Sequence, residues 1–152
     1  MKRQFGLAVA LAALIGSGAA LAIDPAAAIK DRQDFYKDLG KSTKGLQEEL
    51  KKPDASPAEL QRLAAAIDAA APRISALFPA GTGPETGIKT AAKAEIWQKN
   101  DVFQKDTGNL VTAAKALDAA AKTGDVAAVK AAAQQLGEAC KGCHEEFRAR
   151  EH

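Results

Sequence analysis

The chain has 152 residues, 47% of them apolar and 5% aromatic, with 21 basic side chains against 19 acidic ones. Lys2 and Arg3, the apolar run from Phe5 to Ile15 and the sequence Ala20-Leu21-Ala22 form the three-part pattern of a cleaved secretory signal. Removing residues 1–22 leaves residues 23–152 with 19 basic and 19 acidic groups, without the basic excess of a nucleic-acid binder and of a length that suits one domain. After Ala22 no stretch reaches the roughly 18 to 20 apolar residues of a membrane span, so the expectation is a soluble periplasmic product.

Alanine is abundant and β-branched residues are scattered, which favours helices. Asp24 and Pro25 suit an N-cap and a first helical position. The first helix then runs to about Leu50 on a stripe of Ile29, Arg32 or Gln33, Tyr36, Leu39, Thr43, Leu46 and Leu50, in steps of three and four. Lys51 to Ala55 interrupts it. Ser56-Pro57-Ala58-Glu59 reads as a capping box opening a second helix through Leu60, Leu63, Ile67 and Ala70. The same phase continues through Ile74 to Leu77, although Pro72 should end or kink the helix near Ala71. The Gly- and Pro-rich stretch from Pro79 to Thr90 predicts a loop that crosses the end of a bundle. A third helix is expected from about Thr90 to Thr123, with Ile96, Phe103, Leu110 and Leu117 spaced by sevens. Gly124 and Asp125 suit a left-handed cap followed by an N-cap. The fourth helix then carries Val126, Val129, Ala133, Leu136, Cys140, Cys143 and Phe147 almost to the end. The pattern predicts an all-α, antiparallel four-helix bundle, with an interior that alanine leaves underfilled.

The only two cysteines lie in Cys140-Lys141-Gly142-Cys143-His144. This is the C-x-x-C-H sequence through which haem c is held by two thioethers, with the histidine on the iron. On a helix the two thiols stand one turn apart on one face, and His144 lies one turn after Cys140. A disulfide across one helical turn would be strained. A structural zinc needs four ligands, and residues 23–152 offer two Cys and two His with no second paired motif. The sole methionine is Met1, which leaves with the signal, so the Met/His ligation of ordinary electron-carrying cytochromes c is excluded. His152 would lie about 12 Å along a helix from His144, too far round to close on the other face of one iron. A lysine or an open position remains, and five-coordinate iron is the expectation.

A C-terminal C-x-x-C-H on the last helix of a four-helix bundle resembles the cytochromes c′, the class II cytochromes c, and the likeness runs across residues 23–152. Arg32-Gln33-Asp34-Phe35-Tyr36, followed by Leu39-Gly40, is similar to the family's first-helix pattern of Arg-Gln, two residues, then a distal residue. Tyr36 takes the distal place. Low-spin relatives such as cytochrome c-556 have a ligating Met there, whereas cytochromes c′ have Leu, Phe or Tyr and leave the iron open. Arg148, four residues after His144, matches the basic residue the family keeps beside its haem ligand. The region of Trp97 and Phe103 resembles the family's third helix. The resemblance thus implies one haem c per chain on Cys140 and Cys143, iron on His144, and Arg32, Gln33, Tyr36, Trp97, Phe103 and Arg148 around it. Arg32 is expected to pair with a haem propionate, and Tyr36 to cover the open iron face.

The resemblance also implies a binder of small diatomic ligands, chiefly nitric oxide, on ferrous iron, for sequestration or protection and without substrate turnover. It implies a homodimer through the first two helices, where Phe35 is the obvious apolar anchor. The alternative is a periplasmic electron-transfer cytochrome that exchanges electrons with redox partner proteins. A change of coordination or spin on reduction would slow such a carrier. An enzyme would need distal acid and base groups, for which Tyr36 alone is thin support.

Overall fold

The computed structural model describes residues 23–150. Residues 1–22, where the sequence suggests an export signal, and His152 lie outside the described residues. Four long helices and one single turn make up the fold: α1 (Pro25–Glu49), α2 (Pro57–Ala70), α3 (Glu95–Gln98), α4 (Asn100–Lys122) and α5 (Val126–Phe147). Among the described residues no helix is long and apolar enough to cross a membrane.

The Asp24 carboxylate accepts the Ala26 N–H at 2.9 Å and starts α1, satisfying one of the donors that a helix N-terminus leaves free. Of the two candidates for the second inward position of α1, Arg32 takes it, at 3% exposure, while Gln33 is exposed. The turn into α2 departs from the expected capping box. Ser56 Oγ accepts from Glu59 N–H, but Glu59 turns its carboxylate to Arg62, and the reciprocal bond to Ser56 N–H, at 2.8 Å, comes from Glu49 at the end of α1. That carboxylate also holds Lys52 Nζ at 2.6 Å.

Pro72 ends α2 as expected, because it lacks the N–H that would continue the ladder. The chain goes on as two 3-10 turns, Ala71–Arg73 and Ser75–Leu77, which keep Ile74 buried. The third helix starts later than its sequence suggests and is broken. Residues 90–94 are not helical, α3 is one turn, and Lys99 leaves helical geometry (φ −120°, ψ 49°) before α4 begins. Instead Ala92 pairs antiparallel with Arg148. Lys93 N–H donates to the Phe147 carbonyl at 3.0 Å and Ala149 N–H to the Ala91 carbonyl at 2.8 Å. These bonds satisfy groups at the end of α5, and that tertiary gain overrides the local helix preference of Ala91-Ala92-Lys93-Ala94.

At the α4–α5 corner Gly124 adopts φ 75°, where a Cβ would be unfavourable. Asp125 then caps α5 through Ala127 N–H and Ala128 N–H. Helix α1 packs on α2, α2 on α4, and α4 on α5. An aliphatic core of Leu46, Leu60, Leu63, Ile67, Leu117 and Leu136 fills one end of the bundle. The other end is aromatic, with Phe103 and Phe147 buried and Phe35, Tyr36, Phe78 and Trp97 packed against them. There α1 and α5 form the walls of a cavity.

Candidate functional site

The cavity has a volume of about 600 Å³, within the range of small-molecule and cofactor sites. Helix α5 supplies Cys140, Cys143 and His144, with Arg148 just beyond its last turn; α1 supplies Arg32, Gln33 and Tyr36; Phe103 of α4 and Phe78 of the connecting segment enclose the apolar interior. Among the described residues no carboxylate lies in its lining.

Cys140 and Cys143 are free thiols. Burial raises both pKa values, that of Cys143 to about 11, with Asp106 adding to the rise. They are therefore protonated at neutral pH, unlike the thiolates of reactive or zinc-binding cysteines. Among the described residues no three His, Cys, Asp or Glu side chains converge as a metal cluster. His144 lies at the cavity rim; partial burial and the neighbouring Arg148 cation hold its pKa below the ordinary value, so the imidazole is neutral and its lone pair is available. Arg148 has left the helix (φ −110°, ψ 128°), with its N–H still on the His144 carbonyl at 3.1 Å.

On the facing wall, the Tyr36 ring meets Phe35 edge-on at 5.6 Å and Phe78 at 6.3 Å between centroids. Burial raises its phenol pKa, with Cys143 adding to the rise, so the hydroxyl remains a donor. The Arg32 guanidinium donates to the Leu77 carbonyl (3.3 Å), Thr82 Oγ1 (3.2 Å), the Thr82 carbonyl (3.0 Å) and Thr90 Oγ1 (2.9 Å). It also lies 4.7 Å over the Phe78 ring. All four acceptors are uncharged, and burial lowers its pKa. The Glu85 carboxylate opposes that shift from a distance but accepts from the Gly83 N–H instead, so the buried guanidinium has no directly bonded anion, an arrangement proteins normally avoid.

Gln33 lines the cavity and donates to the Lys89 carbonyl at 3.0 Å. Phe103 meets Phe78 and Phe147 edge-on at 5.0 and 5.3 Å. Trp97 stands outside the cavity lining, behind Phe78 at 6.2 Å. Its indole N–H reaches the Phe78 and Pro79 carbonyls, both at 3.1 Å, so it anchors the segment that carries Phe78. Sequence reasoning missed Phe78 and Thr90, because neither belongs to a periodic stripe.

Residues 27–148 match the family model described as Cytochrome C′. A cytochrome c′ from Rhodospirillum rubrum is 39% identical over 150 residues, covering 98% of this chain and 99% of that one. The chain belongs to the cytochrome c′ family. The crystal structure of a cytochrome c′ from Thermochromatium tepidum shares the fold with a TM-score of 0.78 at 33% identity, over 84% of this chain and 98% of that one. Another cytochrome c′, described as having an unusual ligand-controlled dimer dissociation, has a TM-score of 0.78 at 32% identity, over 85% of this chain and 99% of that one. Membership of the cytochrome c′ family implies haem c, and the donor set suits it. The cavity combines two thiols with an imidazole on one helix, an apolar interior and, among the described residues, a lining with cations and no carboxylate, where a disc bearing two carboxylates would find partners.

Proposed function

We propose that this cytochrome c′ is an exported haem c protein whose iron keeps one coordination position open for a small diatomic ligand, chiefly nitric oxide, and that it sequesters that ligand. The observation that carries the reading is the wall facing His144. Tyr36 lines the cavity there with Phe78 and Leu39, and among the described residues the lining holds neither a methionine nor a second histidine. Lys37 is the lysine of the lining, and it is exposed.

Within this reading each residue has a physical task. The Cys140 and Cys143 thiols form the covalent links, and the neutral His144 imidazole is the protein's iron ligand. Arg148 limits how strongly that imidazole donates, by opposing positive charge on the ring. Arg32 neutralises a propionate, which gives its buried charge a partner. The Tyr36 ring excludes bulky ligands, while its protonated hydroxyl can donate a hydrogen bond to a bound diatomic molecule. The haem, when bound, supplies the redox-active iron on which such a molecule sits. A homodimer through α1 and α2 belongs to the same reading, with Phe35 in contact with the Arg73 cation, 5.1 Å from its ring centroid.

The experiment is nitric oxide capture by ferrous, haem-loaded protein, followed by stopped-flow absorbance. Tyr36→Ala should speed capture at least about tenfold by removing the ring. Tyr36→Phe should keep the slow capture and speed release about fivefold, the loss of one hydrogen bond of about 1 kcal/mol. Capture and release unchanged in both variants would refute the role of Tyr36. Absence of capture by the wild type would leave the electron-transfer reading.

A further inference from the structure

Two hydrogen-bonded systems meet at Thr90. Its Oγ1 accepts from Arg32 Nη2 at 2.9 Å and from the Ala92 N–H at 3.2 Å. The segment that follows crosses to the end of α5, where Ala92 pairs with Arg148 and Lys93 N–H holds the Phe147 carbonyl. The Lys93 ammonium donates to the Glu146 carbonyl at 2.5 Å, and Lys99 pairs with the Glu146 carboxylate at 2.7 Å. A continuous polar strap therefore joins a buried side chain of α1 to the part of α5 that carries His144 and Arg148. These two walls bound the cavity at this end of the bundle.

The strap also shapes α5. The last carbonyls of a helix have no partner within it; here the strap occupies those of Glu146 and Phe147, the helix stops, and Arg148 turns extended with its N–H on the His144 carbonyl. We propose that Thr90 is a positioning residue whose hydroxyl ties Arg32 on one wall to the strap that seats His144 and Arg148 on the other. The proposal rests on the haem reading of the cavity. Thr90 touches neither the imidazole nor the thiols; it acts through the strap. Removing its hydroxyl takes an acceptor from both Arg32 and Ala92 N–H, and the register of Arg148 against Ala92 loosens.

The test is Thr90→Val, with Thr90→Ser as the conservative variant, in haem-loaded protein. Amide hydrogen exchange reads the tie, and the iron–histidine stretching band of the ferrous protein reads its effect on His144. In Thr90→Val the Ala92 and Ala149 amides should exchange about fivefold faster, the scale of one lost hydrogen bond. The stretching band should shift or broaden, while amides of the aliphatic core, such as Leu63 and Leu117, keep wild-type protection. Thr90→Ser should restore both readouts. An unchanged band and unchanged Ala149 exchange in Thr90→Val would overturn the proposal, as would a serine variant that behaves like the valine one. If Thr90→Val does not fold, Lys93→Met probes the strap from its other end, and a wild-type band there overturns the proposal equally. Wild-type protein that takes up no haem would instead overturn the haem reading.

Discussion

Replacing Arg32 by methionine keeps an unbranched side chain of similar length and removes the buried charge. In the structure the guanidinium serves four acceptors. Two of them keep another bond, since Thr82 Oγ1 still donates to the Pro79 carbonyl at 2.8 Å and Thr90 Oγ1 still accepts from Ala92 N–H. The Leu77 and Thr82 carbonyls lose their Arg32 donor, at about 1 to 3 kcal/mol each, and the stacking on Phe78 at 4.7 Å is lost as well. Relief from burying a cation offsets part of this. A net loss of about 3 kcal/mol is expected, which for a domain of this size lowers the thermal midpoint by roughly 10 °C. In the proposed haem site, removing this cation would also favour the ferric charge state, so the midpoint potential of haem-loaded protein should fall. Thermal unfolding followed by circular dichroism and a spectroelectrochemical titration measure the two effects. A midpoint within about 2 °C of wild type, or an unchanged potential, would refute this account of Arg32.

Other expected outcomes are more local. Lys52 and the Ser56 N–H hold the Glu49 carboxylate below its ordinary pKa of 4.5, so as pH falls below that value the unfolded chain takes up the proton first and stability drops. Denaturant titrations should show wild type losing more stability between pH 5 and pH 3 than Glu49→Gln does; parallel curves would contradict the assignment. At Gly124, whose added Cβ meets nothing within 4 Å but whose φ is 75°, alanine should cost about 1 kcal/mol. At Gly108, inside α4 and equally open, alanine should stabilise by about 0.5 to 1 kcal/mol, and chemical denaturation should give the two changes opposite signs. Replacing both Cys140 and Cys143 by serine should leave any haem extractable by acidified organic solvent, whereas retention of haem in the double variant would contradict thioether attachment.

How much of this was legible in the sequence depended on how local the determining interactions are. Asp24 before Pro25, Gly124 before Asp125, and Pro72 after Ala71 act within one turn of their own position, and the structure has each element boundary where these residues put it. The stripe of α5 likewise brought Cys140 and Cys143 to the core side. Residues 90–94 were misread, because their alanines favour helix locally while their partners, Phe147 to Ala149, come from the far end of the chain. Glu49 escaped notice for a similar reason: its carboxylate takes the capping place that the local sequence assigns to Glu59. Period alone could not choose between Arg32 and Gln33; acceptors on Leu77, Thr82 and Thr90, all in the connecting segment, made that choice. Trp97 matched a family region, yet its place behind Phe78 follows from two carbonyls of the same connecting segment.

The open iron position is the central claim, and resonance Raman and optical spectra of haem-loaded protein test it most directly. The account predicts a high-spin, five-coordinate ferrous haem with His144 as its protein ligand, converted by nitric oxide to a new ligand-bound spectrum. A low-spin, six-coordinate spectrum in both oxidation states before any ligand is added would contradict it. Such a spectrum would point to a second protein ligand, with Lys37 the first residue to replace, and to an electron carrier.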